Sequence, residues 1–112
     1  MIARWFKQPR PEPRWLDVAG LRAQLAGSAA PLVVDVRGAD EFVGPFGHID
    51  GALNIPLPEL DRRLAEIVGA GRPVVFVCLT DKRSSTAALA AAGAGDVAVL
   101  RGGMVAWRED AP

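Results

Sequence analysis

Two segments of this chain, "LVVDV" at 32–36 and "PVVFVC" at 73–78, are apolar almost without alternation. A strand with one face in water alternates apolar and polar residues, whereas a strand covered on both faces reads as a nearly continuous apolar run. Both runs therefore call for a sheet with cover on each side, and the sequence between them reads as helix. From Asp17, residues Val18, Leu21 and Leu25 follow helical spacing, with Asp17 placed to cap the start and Gly27 to end it. A short helix is expected over 39–43, then a Gly- and Pro-rich loop and a short strand over 52–55 that Pro56 and Pro58 stop. The next helix carries Leu60, Leu64, Ile67 and Val68 on one face, and the pairs Glu59 with Arg63 and Arg62 with Glu66 on the other. "TAALAAAGAG" at 86–95 reads as an alanine-rich helix closed by glycine, with Ala88, Ala91 and Ala92 as a small face for close packing. A last strand over 97–100 leads through Gly102 and Gly103 into a brief helical segment ending near Trp107. With a short strand at Trp15 and Leu16, the expectation is an α/β fold: five strands in a mainly parallel sheet, with helices on both faces.

The 112 residues make one domain, and 13 basic against 13 acidic residues leave no net charge. A dedicated nucleic-acid binder normally shows a basic surplus, so no nucleic-acid partner is expected. Apolar stretches end well before the eighteen or so residues of a membrane span, and no signal peptide follows the basic N-terminus, so the expected compartment is the cytoplasm. Residues 1–14, with Pro9, Pro11 and Pro13, read as a flexible N-terminal extension to a domain over 15–112. Trp5 and Phe6 in that extension have no evident core to join, which leaves a plain leader or a docking element.

Cys78 is the only cysteine and His48 the only histidine, so neither an internal disulfide nor a thiolate or zinc cluster is expected, and no metal or cofactor. Chemistry, if present, centres on Cys78. It stands at the carboxyl end of an apolar strand, where sites of parallel sheets lie, and "LTDKRSS" then leads toward a helix start. Free N–H groups and the helix dipole favour negative charge there, Lys82 and Arg83 add positive charge, and a thiol so placed commonly has its pKa lowered. The residues alone leave two readings: a nucleophile beside an anion site, or an inert buried strand cysteine.

Four separated motifs narrow that choice: "DVR" with "EF" within 35–42, "GHIDGALNIP" at 47–56, "CLTDKRS" at 78–84 and "LRGGMVAW" at 100–107. In order and spacing, over residues 15 to 110, they resemble the single-domain rhodanese family. The resemblance implies a five-stranded sheet and a loop whose backbone N–H groups surround the cysteine sulfur. It implies that Cys78 takes the outer sulfur of a donor such as thiosulfate or a persulfide, becomes a persulfide, and passes the sulfur to cyanide, a thiol or a partner protein. Leu79, Thr80, Asp81, Lys82 and Arg83 then supply ring amides, Lys82 and Arg83 supply positive charge, and Ser84 anchors the loop's exit. Four residues separate Cys78 from Arg83, the shorter ring expected for sulfur, whereas the related phosphatases place five between them. The alternative is a rhodanese-like binding or regulatory module with weak catalysis.

Asp81 departs from the family pattern, because active members often carry glycine there. Aspartate tolerates left-handed backbone better than most residues, so the ring is expected to keep its shape. Its carboxylate is expected to oppose an anionic donor unless Lys82 and Arg83 offset it or it points outward, and on that ground Asp81→Gly is expected to raise turnover with thiosulfate. His48 is read as a structural hydrogen-bonding residue, Asp35 and Arg37 as a structural pair, Ser84 and Ser85 as caps of the following helix, and Met104 and Trp107 as apolar cover.

Overall fold

The computed structural model describes residues 12–110. Strands β1 (Trp15–Leu16), β2 (Leu32–Asp35), β3 (Leu53–Asn54), β4 (Val74–Val77) and β5 (Val97–Leu100) form one sheet in the order β1-β5-β4-β2-β3. All four neighbouring pairs are parallel. Residues of β2 and β4 are buried at every position, as their unbroken apolar character requires. The two-residue period sorts their side chains. Val33, Val75, Val77, Ala98 and Leu100 pack with Leu21, Met104 and Trp107, while Val34, Val36, Phe76, Cys78 and Val99 pack with Leu60, Ile67, Ala87, Ala88 and Ala91. Helices α1 (Val18–Leu25) and α5 (Gly103–Glu109) thus cover one face, and α3 (Leu60–Val68) and α4 (Lys82–Ala90) cover the other.

The sheet fixes the place of the site. Adjacent strands β2 and β4 lead to β3 and β5 respectively, which lie on opposite sides of the pair. Connections leaving in opposite directions open a crevice beyond the carboxyl ends of those two strands. Residues 36–41 and 78–84 face each other there, with Val36 N–H donating to Val77 O at 2.9 Å.

Local structure follows most of the expectations and departs from some. Asp17 caps α1 by accepting from Gly20 N at 2.7 Å. Helix α2 spans Ala39–Phe42, and a 3₁₀ turn over Leu57–Glu59 precedes α3. Val68 does not join the core face of α3: it is 56% exposed, because at the last turn Ile67 takes the inward position. Arg62 pairs with Glu59 at 2.9 Å rather than with Glu66, and Arg63 bridges Glu59 and Glu66. Helix α4 begins at Lys82, four residues before the expected start at Thr86, and ends at Ala90. Ala92 therefore falls in a following 3₁₀ turn and is exposed, and Ala87 takes its place in the packed face. The fold also reaches one residue past the expected extension boundary, since Arg14 O accepts from Val99 N and the Arg14 side chain pairs with Asp96. Trp5 and Phe6 lie outside the described residues. No helix among the described residues is long and apolar enough to cross a membrane.

Candidate active site

Cys78 is the first residue beyond β4, and its carbonyl has left the sheet ladder to accept from Met104 N at 2.9 Å. Leu79 O likewise accepts from Val105 N at 3.1 Å. The free N–H groups at the start of α5 thus dock on the carbonyl side of the cysteine loop. Such close approach needs Gly103. Its φ of +55° lies in the left-handed region, and a Cβ there would run into the carbonyl oxygens of Cys78, Leu79 and Thr80. Among the described residues, the backbone N–H groups of Leu79, Thr80, Asp81, Lys82 and Arg83 make no hydrogen bond within the protein. These five donors run from the residue after Cys78 into the first turn of α4.

The sulfur is 1% exposed with its residue and has two polar neighbours, both from Ser84. Ser84 N–H donates to Sγ at 3.3 Å, and Ser84 Oγ lies 3.2 Å from it. The same hydroxyl is also 3.2 Å from Asp81 O, which already receives Ser85 Oγ at 2.6 Å and Ser85 N at 2.9 Å. Ser84 has one proton to donate, so it can serve either the carbonyl or the sulfur, and the carbonyl does not depend on it. Neither serine caps α4. Asp81 is the N-cap residue, and both hydroxyls fold back onto its carbonyl from within the first turn.

Asp81 has φ −128°, so the loop makes no left-handed demand at this position. Its Oδ1 accepts from Gly102 N at 2.7 Å, tying the loop to the start of α5. The carboxylate is thus a brace, so Asp81→Gly removes a tie to α5 as well as a negative charge beside the loop. We expect Asp81→Gly to lower stability by about 1–2 kcal/mol, as loss of a partly buried charged hydrogen bond does, with Asp81→Asn retaining much of it. Urea titration of both variants checks this; an unchanged midpoint in Asp81→Gly would remove the brace.

Lys82 is exposed and has no ion-pair partner among the described residues. Arg83 pairs with Glu41 on α2, with Nη1–Oε1 at 2.7 Å and Nη2–Oε2 at 3.0 Å. Hydrogen bonding to Arg83 holds the Glu41 carboxyl below its usual range, helped by Gly38 N–H and the charges of Arg83 and Arg37 and opposed by partial burial. Arg83 is in turn held more firmly protonated, first by its hydrogen bonds to Glu41, with Coulombic support from Glu41, Cys78 and Asp35.

Behind this pair stands a buried one. Arg37 Nη2 lies 2.8 Å from Asp35 Oδ2, both side chains 1% exposed, and Arg37 also donates to Glu41 O at 3.1 Å and Gly47 O at 2.6 Å. Asn54 Nδ2 closes the arrangement by donating to Asp35 O and Arg37 O. The expected structural pairing of Asp35 with Arg37 is therefore present. Sequence reading quoted Glu41 and Gly102–Gly103 within motifs without giving them a role. The paired glycines before a helix were the one local signal of close backbone approach; nothing local marks Glu41 as the partner of a residue 42 positions away.

His48 makes no hydrogen bond to the sulfur. Its Nδ1 lies 2.8 Å from Phe42 O and its ring stacks on Phe42 at 3.7 Å, as a structural residue. Trp107 is buried under the Arg22 guanidinium. It helps line a cavity of about 600 Å³ with Arg22, His48, Asp50 and Arg108, which none of residues 78–84 borders. Among the described residues, no three His, Cys, Asp or Glu side chains come together in a way that would hold a metal ion.

Comparison with known proteins gives a consistent result. The family model described as the rhodanese-like domain matches residues 17–110. An uncharacterised protein of Bacillus subtilis, YqhL, is 40% identical over 84 residues, 73% of this chain and 64% of that protein, so the match spans just under two thirds of that relative. A protein named sulfurtransferase from Allochromatium vinosum is 36% identical over 94 residues, 82% of this chain and 85% of its own. The crystal structure of a rhodanese-related protein from Thermoplasma volcanium superposes with a TM-score of 0.75 at 28% identity, covering 88% of this chain and 95% of the other.

Proposed function

The chain belongs to the rhodanese-like family, and from that premise we propose that it is a sulfurtransferase carrying sulfane sulfur on Cys78. The observation that carries the reading is the setting of Sγ. It lies at the carboxyl end of β4, receives Ser84 N–H, and belongs to a loop whose carbonyls are held outward by α5 while five backbone donors remain unused.

The chemistry is covalent and has two steps. The Cys78 thiolate attacks the outer sulfur of thiosulfate; the Sγ–S bond forms, the donor's S–S bond breaks with its electron pair going to sulfite, and Cys78 becomes a persulfide anion. A thiophile then attacks the outer persulfide sulfur: cyanide leaves as thiocyanate and the Cys78 thiolate returns. Negative charge rests on sulfur throughout, so donors that are already in place stabilise it without reorganisation. In the resting thiol, Sγ–H donates to Ser84 Oγ, whose proton serves Asp81 O. When sulfur carries charge, the Ser84 proton turns to it, and Asp81 O keeps both donors from Ser85. The donor is a small sulfane compound and the acceptor a small thiophile or a thiol-bearing protein. We place the reaction in the cytoplasm, where a lone thiol stays reduced.

A second reading, a rhodanese-like module that binds without turnover, draws on the burial of Cys78. Thiocyanate formation from cyanide, with either thiosulfate or glutathione persulfide as donor, separates the two. The sulfurtransferase reading expects turnover in the wild type, none in Cys78→Ser, and about tenfold less in Ser84→Ala, the value of one hydrogen bond to a charged group at the lower end of its range. Turnover that survives in Cys78→Ser overturns the role of the thiol, an unchanged Ser84→Ala overturns the hydroxyl switch, and a folded but inactive wild type favours the module.

A further inference from the structure

We propose, resting on the sulfurtransferase reading, that Glu41 is a positioning residue that sets donor choice: by clasping Arg83 it withholds that positive charge from the donor and favours an organic persulfide over dianionic thiosulfate. The clasp uses both carboxylate oxygens and both terminal guanidinium nitrogens, the strongest geometry available to such a pair. Glu41 is itself fixed. Its Oε1 accepts from Gly38 N at 3.2 Å, its backbone carbonyl is bound by Arg37, and Arg37 is anchored to Asp35 inside the protein. Glu41 is therefore not a side chain that drifts across Arg83 but one presented to it by two contacts, one of them anchored through Arg37 to Asp35.

The charges around the loop then cancel. Lys82 and Arg83 are positive, Asp81 and Glu41 are negative, and the last two are bonded to Gly102 N and to Arg83. A ligand with two negative charges gains no net Coulombic attraction from such a set, whereas a ligand whose reacting group carries one charge or none loses little by that. Backbone N–H groups remain to hold either. With a persulfide donor, the Cys78 thiolate attacks the outer sulfur of R–S–SH; the new Sγ–S bond forms, the donor's S–S bond breaks, R–S⁻ departs with the electron pair, and Cys78–S–SH keeps the proton. No dianion is bound and no second charge has to be balanced.

The test compares donors in the full chain. Glu41→Gln keeps the size of the side chain and an oxygen for Gly38 N and Arg83 Nη1, and removes the charge together with the acceptor for Arg83 Nη2. The ratio of kcat/KM for thiosulfate to that for glutathione persulfide should rise about tenfold in Glu41→Gln, through a lower KM for thiosulfate, one freed charge being of that order. Glu41→Asp, which keeps the charge, should stay near the wild-type ratio, and Glu41→Gln combined with Arg83→Gln should lose the gain. A purely structural role for Glu41 would alter both donors in parallel and leave their ratio in place; that result, or a ratio carried by kcat alone, overturns the proposal. A wild type that loads sulfur while the Glu41→Gln ratio stays put removes only the role of Glu41, whereas a wild type that loads from neither donor removes the sulfurtransferase reading and this proposal with it.

Discussion

Gly103→Ala is expected to lower the stability of the folded chain by about 3–5 kcal/mol and to abolish sulfur transfer by the fraction that remains folded. Left-handed backbone at φ +55° costs an L-residue about 1–2 kcal/mol. The larger part comes from the collision of the new Cβ with three carbonyl oxygens of the cysteine loop, all backbone atoms with no rotamer to escape into. The loop must lift from α5, losing the bonds from Met104 N to Cys78 O and from Val105 N to Leu79 O, each worth about 1 kcal/mol. A melting point lower by more than about 10 °C is the readout. Gly51→Ala supplies the comparison. Gly51 also has positive φ, +83°, but a Cβ there meets nothing within 4 Å, so only the backbone cost applies. If Gly103→Ala proves no more harmful than Gly51→Ala, α5 does not hold the loop in the way described.

Arg37→Met should cost a similar amount, about 3–5 kcal/mol, for a different reason. Removing one partner of a buried ion pair leaves the other charged and unpaired away from water. Asp35 is 1% exposed and its carboxylate accepts from Arg37 N, Nε and Nη2. The substitution also strands Glu41 O and Gly47 O, which Arg37 bonds. Adding Asp35→Asn should recover part of the loss by removing the orphaned charge, and denaturant titration of the wild type, Arg37→Met and the double variant measures it. A single variant that unfolds at the wild-type midpoint would show that the pair is dispensable. The effect should reach the site as well, because Arg37 places the residue that clasps Arg83.

What could be read in the sequence, and what could not, divides by the range of the interactions involved. The strands and their order of appearance were legible in the apolar runs at 32–36 and 73–78, since burial on both faces leaves its mark residue by residue. The Asp35–Arg37 pair was legible because the partners lie two positions apart at a strand end. The start of α4 at Lys82 was not, because it is set by side chains folding back onto Asp81 O and by docking of the loop on Gly102 and Gly103. Family resemblance pointed to the cysteine loop as a unit, but the bond from Arg83 to Glu41 was not legible, because it spans 42 residues and follows only from the adjacency of β2 and β4. The bond from Gly102 N to Asp81 was illegible for the same reason, since its partners stand 21 residues apart.

Intact mass reads sulfane sulfur on Cys78 without an acceptor assay. Reduced wild type and Cys78→Ser are incubated separately with thiosulfate and with glutathione persulfide, desalted and weighed. One added sulfur atom is expected on the wild type from at least the persulfide, none on Cys78→Ser, and its removal by cyanide. Folded wild type that gains no sulfur from either donor, or Cys78→Ser that gains it equally, would show that Cys78 is not a sulfur carrier.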